Sequence, residues 1–114
     1  NIEVYNNRIH DPALLSPQSN FDFYGIGVNN SASSGNIVYN NIIYNIQGNG
    51  EQNILYNNAS DVKWYFNSVS SDYVANSGGL TRGFYQVNPS SSGSHIDFKN
   101  NNYKFTYFTY TFVN

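Results

Sequence analysis

Seven carboxylates (Glu3, Asp11, Asp22, Glu51, Asp61, Asp72 and Asp97) and two histidines (His10 and His95) are the residues of this chain that could carry acid–base chemistry. Two carboxylates held roughly 5 to 9.5 Å apart would suit glycoside hydrolysis. A histidine beside a carboxylate would suit proton transfer. Asp61 and His95 lie 34 positions apart, as do Lys63 and Asp97 (95 − 61 = 97 − 63 = 34). No nucleophile accompanies the Asp61/His95 pair, so a structural role is expected for it. His10, beside Arg8 and Asp11, has no companions at metal-ligand spacing, and no metal or cofactor is expected. The chain has no Cys, which removes thiolate chemistry and a disulfide framework.

What could position these groups is a repeat. The segments Ile2-Glu3-Val4-Tyr5-Asn6-Asn7-Arg8-Ile9, Asn36 to Ile43, Val62 to Val69 and Ile96 to Tyr103 share one pattern: apolar, any, apolar, any, any, Asn, any, apolar. Only Asn36 departs from it. The shared Asn residues are Asn7, Asn41, Asn67 and Asn101, spaced 34, 26 and 34. A second set, Gly25 to Asn30, Asn53 to Asn58 and Gly83 to Asn88, is interleaved at spacings of 28 and 30. Short apolar pieces bounded by Asn, Gly and Ser, without a helical period between them, predict a coil of strands rather than βαβ units.

Composition supports the same class. Aromatic residues reach 18% and charged residues only 11%, and Asn, Ser and Gly abound, a balance that suits pleated surfaces and tight turns. With a net charge of −2 and five scattered basic residues, no electrostatic footprint for nucleic acid is expected. No apolar run is long enough for a membrane span and no signal peptide is visible. The start at Asn1, within a repeat, suggests a processed product or a piece of something longer. One domain is expected from 114 residues, with coils over 1–103 and a distinct segment over 104–114.

If each repeat is one turn of a coil, equivalent residues stack about 4.8 Å apart. Alternation then turns Ile2, Val4, Val38, Val62, Trp64, Ile96 and Phe98 inward, and Glu3, Tyr5, Tyr39, Lys63, Tyr65, Asp97 and Lys99 outward. Asn suits the bend between two strands because it tolerates left-handed dihedrals and its amide both donates and accepts. Stacked amides can satisfy one another. In these features the chain resembles the right-handed parallel β-helices of the pectate-lyase-like kind, in which a stacked Asn ladder at such a turn recurs. The resemblance implies an all-β, right-handed parallel β-helix of three to four turns with an irregular C-terminal strand, in an extracellular or cell-surface setting. An Asn-rich antiparallel sandwich is the competing architecture.

The resemblance also implies that an enzyme of this kind would show converging Asp residues, or acidic calcium ligands beside a basic residue. Here Glu3 and Asp97 share a column three turns apart, about 14 Å at that spacing, too far for a catalytic pair. Asp11 and Asp72 fall near one loop corner and are expected to be solvated. Lys63 and Asp97 are expected to form a surface salt bridge worth about 0.5 kcal/mol. The outward column Tyr5, Tyr39 and Tyr65 forms an aromatic strip suited to a sugar or a partner surface, or to stabilising its own sheet. The tail from Tyr103 to Val113 lacks Gly, Pro and Asn, and is expected to cap the coil or, through Lys104, Phe105, Tyr107, Phe108, Tyr110 and Phe112, to pair with other subunits. The expected function is a non-catalytic segment of a surface appendage, fibre or adhesin touching polysaccharide. The alternative is a fragment of a polysaccharide lyase or glycoside hydrolase with its catalytic turns elsewhere, for which a groove of His10, Asp11, Asp72 and Arg82 would speak.

Overall fold

Two-residue corners set the architecture. The computed structural model describes residues 1–12, 20–29, 35–71, 79–87 and 96–105. Within them, strands recur in threes: β1 (Glu3–Tyr5), β2 (Arg8–His10) and β3 (Phe23–Asn29); β4 (Asn36–Tyr39), β5 (Ile42–Tyr44) and β6 (Gln52–Asn58); β7 (Val62–Tyr65), β8 (Ser68–Ser71) and β9 (Thr81–Gln86); then β10 (Ile96–Lys99) and β11 (Asn102–Phe105). They form three sheets, ordered β1-β4-β7-β10, β11-β8-β5-β2 and β3-β6-β9. Every pairing is parallel. Parallel neighbours need a long connection between them, and here that connection is the remainder of each coil. The antiparallel sandwich is thereby excluded, and the arrangement is consistent with a β-solenoid. No helix among the described residues is long and apolar enough to cross a membrane.

In the first sheet the pairing follows the repeat: Tyr5 pairs with Tyr39, Tyr39 with Tyr65, and Tyr65 with Lys99. Only two residues separate its strands from the second sheet: Asn6-Asn7, Asn40-Asn41, Phe66-Asn67 and Asn100-Asn101. The left-handed dihedral falls on the first residue of each corner, at φ 55, 54, 55 and 53° for Asn6, Asn40, Phe66 and Asn100, and not on the repeated Asn that was expected to need it. Backbone hydrogen bonds continue through the corners, from Ile42 to the Asn7 carbonyl (2.9 Å), Ser68 to that of Asn41 (2.8 Å) and Asn102 to that of Asn67 (2.8 Å).

The core runs between the sheets and includes Val38, Ile43, Ile54, Leu55, Val62, Trp64 and Val69. Val4 and Ile96 pack against it as expected. Ile2 and Phe98 remain 56% and 40% exposed because each lies in an outermost described coil and has a covering coil on one side only. Asn36, the exception in the pattern, fills an inward place while buried, and its Oδ1 accepts the Ile2 amide at 3.1 Å. In the third sheet Ile26 pairs with Leu55 and Leu55 with Phe84, a spacing of 29 at both steps rather than 28 and 30. Ile54 and Leu55 are both fully buried, so strict alternation fails in β6 and the phase could not be read from it. Gly25 supplies the room: a Cβ there would lie 2.5 Å from the Ile54 carbonyl oxygen.

Candidate functional site

Asn7, Asn41, Asn67 and Asn101 form a continuous chain of amides. Each Nδ2 donates to the Oδ1 of the next coil, at 2.9 Å for Asn7 to Asn41, 2.9 Å for Asn41 to Asn67 and 2.9 Å for Asn67 to Asn101. The same Oδ1 atoms accept the backbone N–H of Asn7, Asn41 and Asn67 at 3.0, 3.2 and 2.9 Å. The second amide proton of Asn41 goes to the Val4 carbonyl and that of Asn67 to the Val38 carbonyl, both at 3.0 Å. An amide offers two donors and two acceptor lone pairs, and for these two fully buried residues all four are used. The amides of Asn41 and Asn67 have no capacity left for a ligand. Their chemistry is structural.

The outward face of the first sheet carries the aromatic strip. Tyr5 and Tyr39 stack at 5.0 Å with planes 12° apart, so each covers one face of the other and the outer face of Tyr5 stays open. Burial, followed by the charge of Glu3 and the neighbouring Tyr5, pushes the Tyr39 phenol up. Tyr65 is held differently, since its hydroxyl donates to Asp97, and that bond pushes its own phenol up. Lys99 binds the same carboxylate at 2.8 Å and lies 5.7 Å over the Tyr65 ring. Hydrogen bonds from Lys99 and then Tyr65 hold the Asp97 carboxyl below its ordinary range. The expected Lys63–Asp97 bridge is therefore replaced by Lys99–Asp97. Lys63 pairs with Asp97 in backbone register, yet Lys99 projects from the same side of the same strand and reaches the carboxylate first.

The acid–base candidates are dispersed. His10 Nδ1 lies 2.6 Å from Asp11 Oδ2, and the ring stacks on Tyr44 at 5.0 Å. The bond to His10 lowers the Asp11 pKa, assisted by Asn45. Arg8 Nε donates to the Tyr44 hydroxyl at 2.8 Å. Arg82 is on another sheet, bound to Glu51 Oε2 at 2.9 Å and Asn53 Oδ1 at 3.0 Å and lying 4.6 Å over Tyr85. Of the groove of His10, Asp11, Asp72 and Arg82 that would speak for the enzyme alternative, Arg82 is committed on another sheet, while Asp72, like His95, lies outside the described residues. Among the described residues no three His, Asp or Glu side chains gather as a metal site.

Of the tail, Lys104 and Phe105 belong to β11, which pairs with β8 in parallel register and crosses the boundary expected at 103. Tyr107, Phe108, Tyr110 and Phe112 lie outside the described residues. Gly83 makes the space in which this last strand settles, for a Cβ there would lie 2.5 Å from the Tyr103 ring. Tyr103 stacks between Phe98 at 6.0 Å and Phe105 at 6.4 Å. Its hydroxyl is buried without a partner among the described residues, and burial pushes its pKa up.

Sequence reasoning missed a second amide contact. Asn57, fully buried, donates to Gln86 Oε1 at 2.8 Å and to the Ala59 carbonyl at 2.9 Å. It also missed the Glu51–Arg82 pair, which runs diagonally to the strand register, and the Asn53–Arg82 bond beside it; for Asn57–Gln86 and Asn53–Arg82 the available signal was the 29-residue register of the third sheet. Three parallel sheets joined by an amide-lined corner define the class, an all-β chain consistent with a solenoid. Compared with protein-family models, with curated proteins and with solved structures, the chain matches none.

Proposed function

We propose that this chain is a right-handed parallel β-helix of the pectate-lyase-like kind and serves as a non-catalytic, extracellular display segment of a surface appendage, fibre or adhesin. The observation that supports the reading is the disposition of polar groups. The buried amides of Asn41 and Asn67 spend every donor and acceptor on neighbouring coils, whereas tyrosines of successive coils stand in outward columns. A scaffold with its polar groups satisfied internally is rigid, and rigid aromatic surfaces bind partners at low entropic cost. Tyr5, Tyr39 and Tyr65 are the proposed contacts for polysaccharide, and the segment from Lys104 to Phe112 the proposed contact between subunits.

Surface plasmon resonance against immobilised neutral and uronic-acid polysaccharides, paired with light scattering, tests both parts. Binding that weakens in Tyr5→Ala and Tyr39→Ala, together with oligomers that dissociate on deletion of 104–113, is the expected result. Depolymerisation of a uronic-acid polymer in the presence of calcium would overturn the non-catalytic reading.

A further inference from the structure

The third sheet carries an outward column in which Gly27 pairs with Tyr56 and Tyr56 with Tyr85. Two coils supply a phenol ring and the first supplies none. Gly27 is exposed, and a Cβ there would meet only Tyr56 Cδ1, at an ordinary 3.8 Å. The backbone would therefore accept a side chain, and the missing ring is a notch one strand spacing wide, about 4.8 Å. Tyr24, 52% exposed, closes one side with its ring at 89° to that of Tyr56 and 5.2 Å from it. Asn29 closes the other. Its Oδ1 accepts from Asn58 Nδ2 at 2.7 Å, leaving its own Nδ2 without a partner among the described residues. These four residues line a shallow pocket of about 360 Å³, at the lower end of the range for small-ligand sites.

We infer that the corner formed by Tyr24, Gly27, Asn29 and Tyr56 is a binding site for one neutral pyranose unit of a polysaccharide. Two perpendicular phenol rings offer a face and an edge to the C–H surface of a sugar. The Asn29 amide offers donors to a hydroxyl. None of the four residues carries a charge at neutral pH, and the nearby Arg82 is neutralised by Glu51, so the site favours an uncharged sugar over a uronate. It lies on a different sheet from Tyr5, Tyr39 and Tyr65 and stands or falls independently of them.

NMR titration of the chain with cellohexaose, maltohexaose, laminarihexaose and mannohexaose, with hexagalacturonate as the charged control, tests the inference. At least one neutral hexasaccharide should shift the signals of Tyr24, Asn29 and Tyr56 saturably, with a dissociation constant on the order of 1 mM. Gly27→Tyr should weaken that binding at least tenfold with the melting temperature kept, because it continues the column. Asn29→Ala, at an exposed position, should weaken it without any effect on folding. Shifts confined to Tyr5 and Tyr39, a response to hexagalacturonate alone, unaltered affinity in both site variants, or no response to any neutral sugar would each overturn it.

Discussion

Replacing Asn67 with alanine removes four hydrogen bonds at a place water does not reach. Its Oδ1 accepts from the Asn41 backbone and side chain, and its Nδ2 donates to Asn101 and Val38. At about 1 kcal/mol for each buried group left unpaired, Asn67→Ala should cost about 3–4 kcal/mol. That is a large part of the roughly 5–15 kcal/mol that holds a domain folded. Asn7 supplies the comparison within the same array, because it is exposed and its side chain donates only to Asn41 Oδ1 at 2.9 Å and the Tyr5 carbonyl at 3.1 Å. Solvent can replace both bonds, so Asn7→Ala should cost about 1 kcal/mol. Urea unfolding followed by circular dichroism gives both values by linear extrapolation, provided the slope is the same for each variant. The predicted ordering is Asn67 well above Asn7, with a gap of about 2–3 kcal/mol. Equal losses within about 0.5 kcal/mol would mean that burial of the amides does not set their worth, and would refute the reasoning.

Phe66 occupies the left-handed corner position that Asn takes in the other three coils, and Phe66→Asn should relieve about 1 kcal/mol of strain while losing about 0.5 kcal/mol of edge contact with Tyr65. A higher urea midpoint is expected, and a lower one contradicts the assignment of strain. Tyr103→Phe should stabilise by about 1 kcal/mol at neutral pH by removing a buried unpaired hydroxyl, read as a rise in melting temperature. The raised Tyr103 pKa means that the folded state holds the neutral phenol, so its contribution is intact below the ordinary value of 10.0 and declines as pH rises above it. The Phe variant should lose that part of the alkaline destabilisation, and an unchanged pH profile would count against burial of the hydroxyl. Gly83→Ala should cost about 1–3 kcal/mol by pushing the Tyr103 ring from its place, and a crystal structure or unfolding curve identical to the parent would show that the ring has room.

How far the sequence could be read depended on corner length. Between the first and second sheets the corner is always two residues, so the spacing of Asn7, Asn41, Asn67 and Asn101 transferred directly to strand register, and Tyr5, Tyr39, Tyr65 and Lys99 fell into one column. The third strand is reached through longer connections and carries consecutive buried residues, Ile54 and Leu55. Period-two alternation is blind to such a step, and a one-residue slip hid the Gly27–Tyr56–Tyr85 column along with the Asn53–Arg82 contact. Asp97 illustrates a different limit. Backbone register placed Lys63 beside it correctly, but side-chain length and direction decided the partner, and Lys99 and Tyr65 took the carboxylate. Left-handed dihedrals fell on Asn6, Asn40, Phe66 and Asn100 because the repeated Asn must aim its amide along the stack, which leaves the preceding residue to make the bend.

Hydrogen exchange of side-chain amides, followed by NMR, tests most directly whether the asparagines hold the coils together. The Nδ2 protons of Asn41 and Asn67 should exchange roughly 1,000-fold more slowly than those of the solvent-facing Asn102, since their release requires the coils to separate. Exchange at the rate of Asn102 would contradict the account, for it would mean that the amides are open to water and that the stack is held by its apolar interior alone.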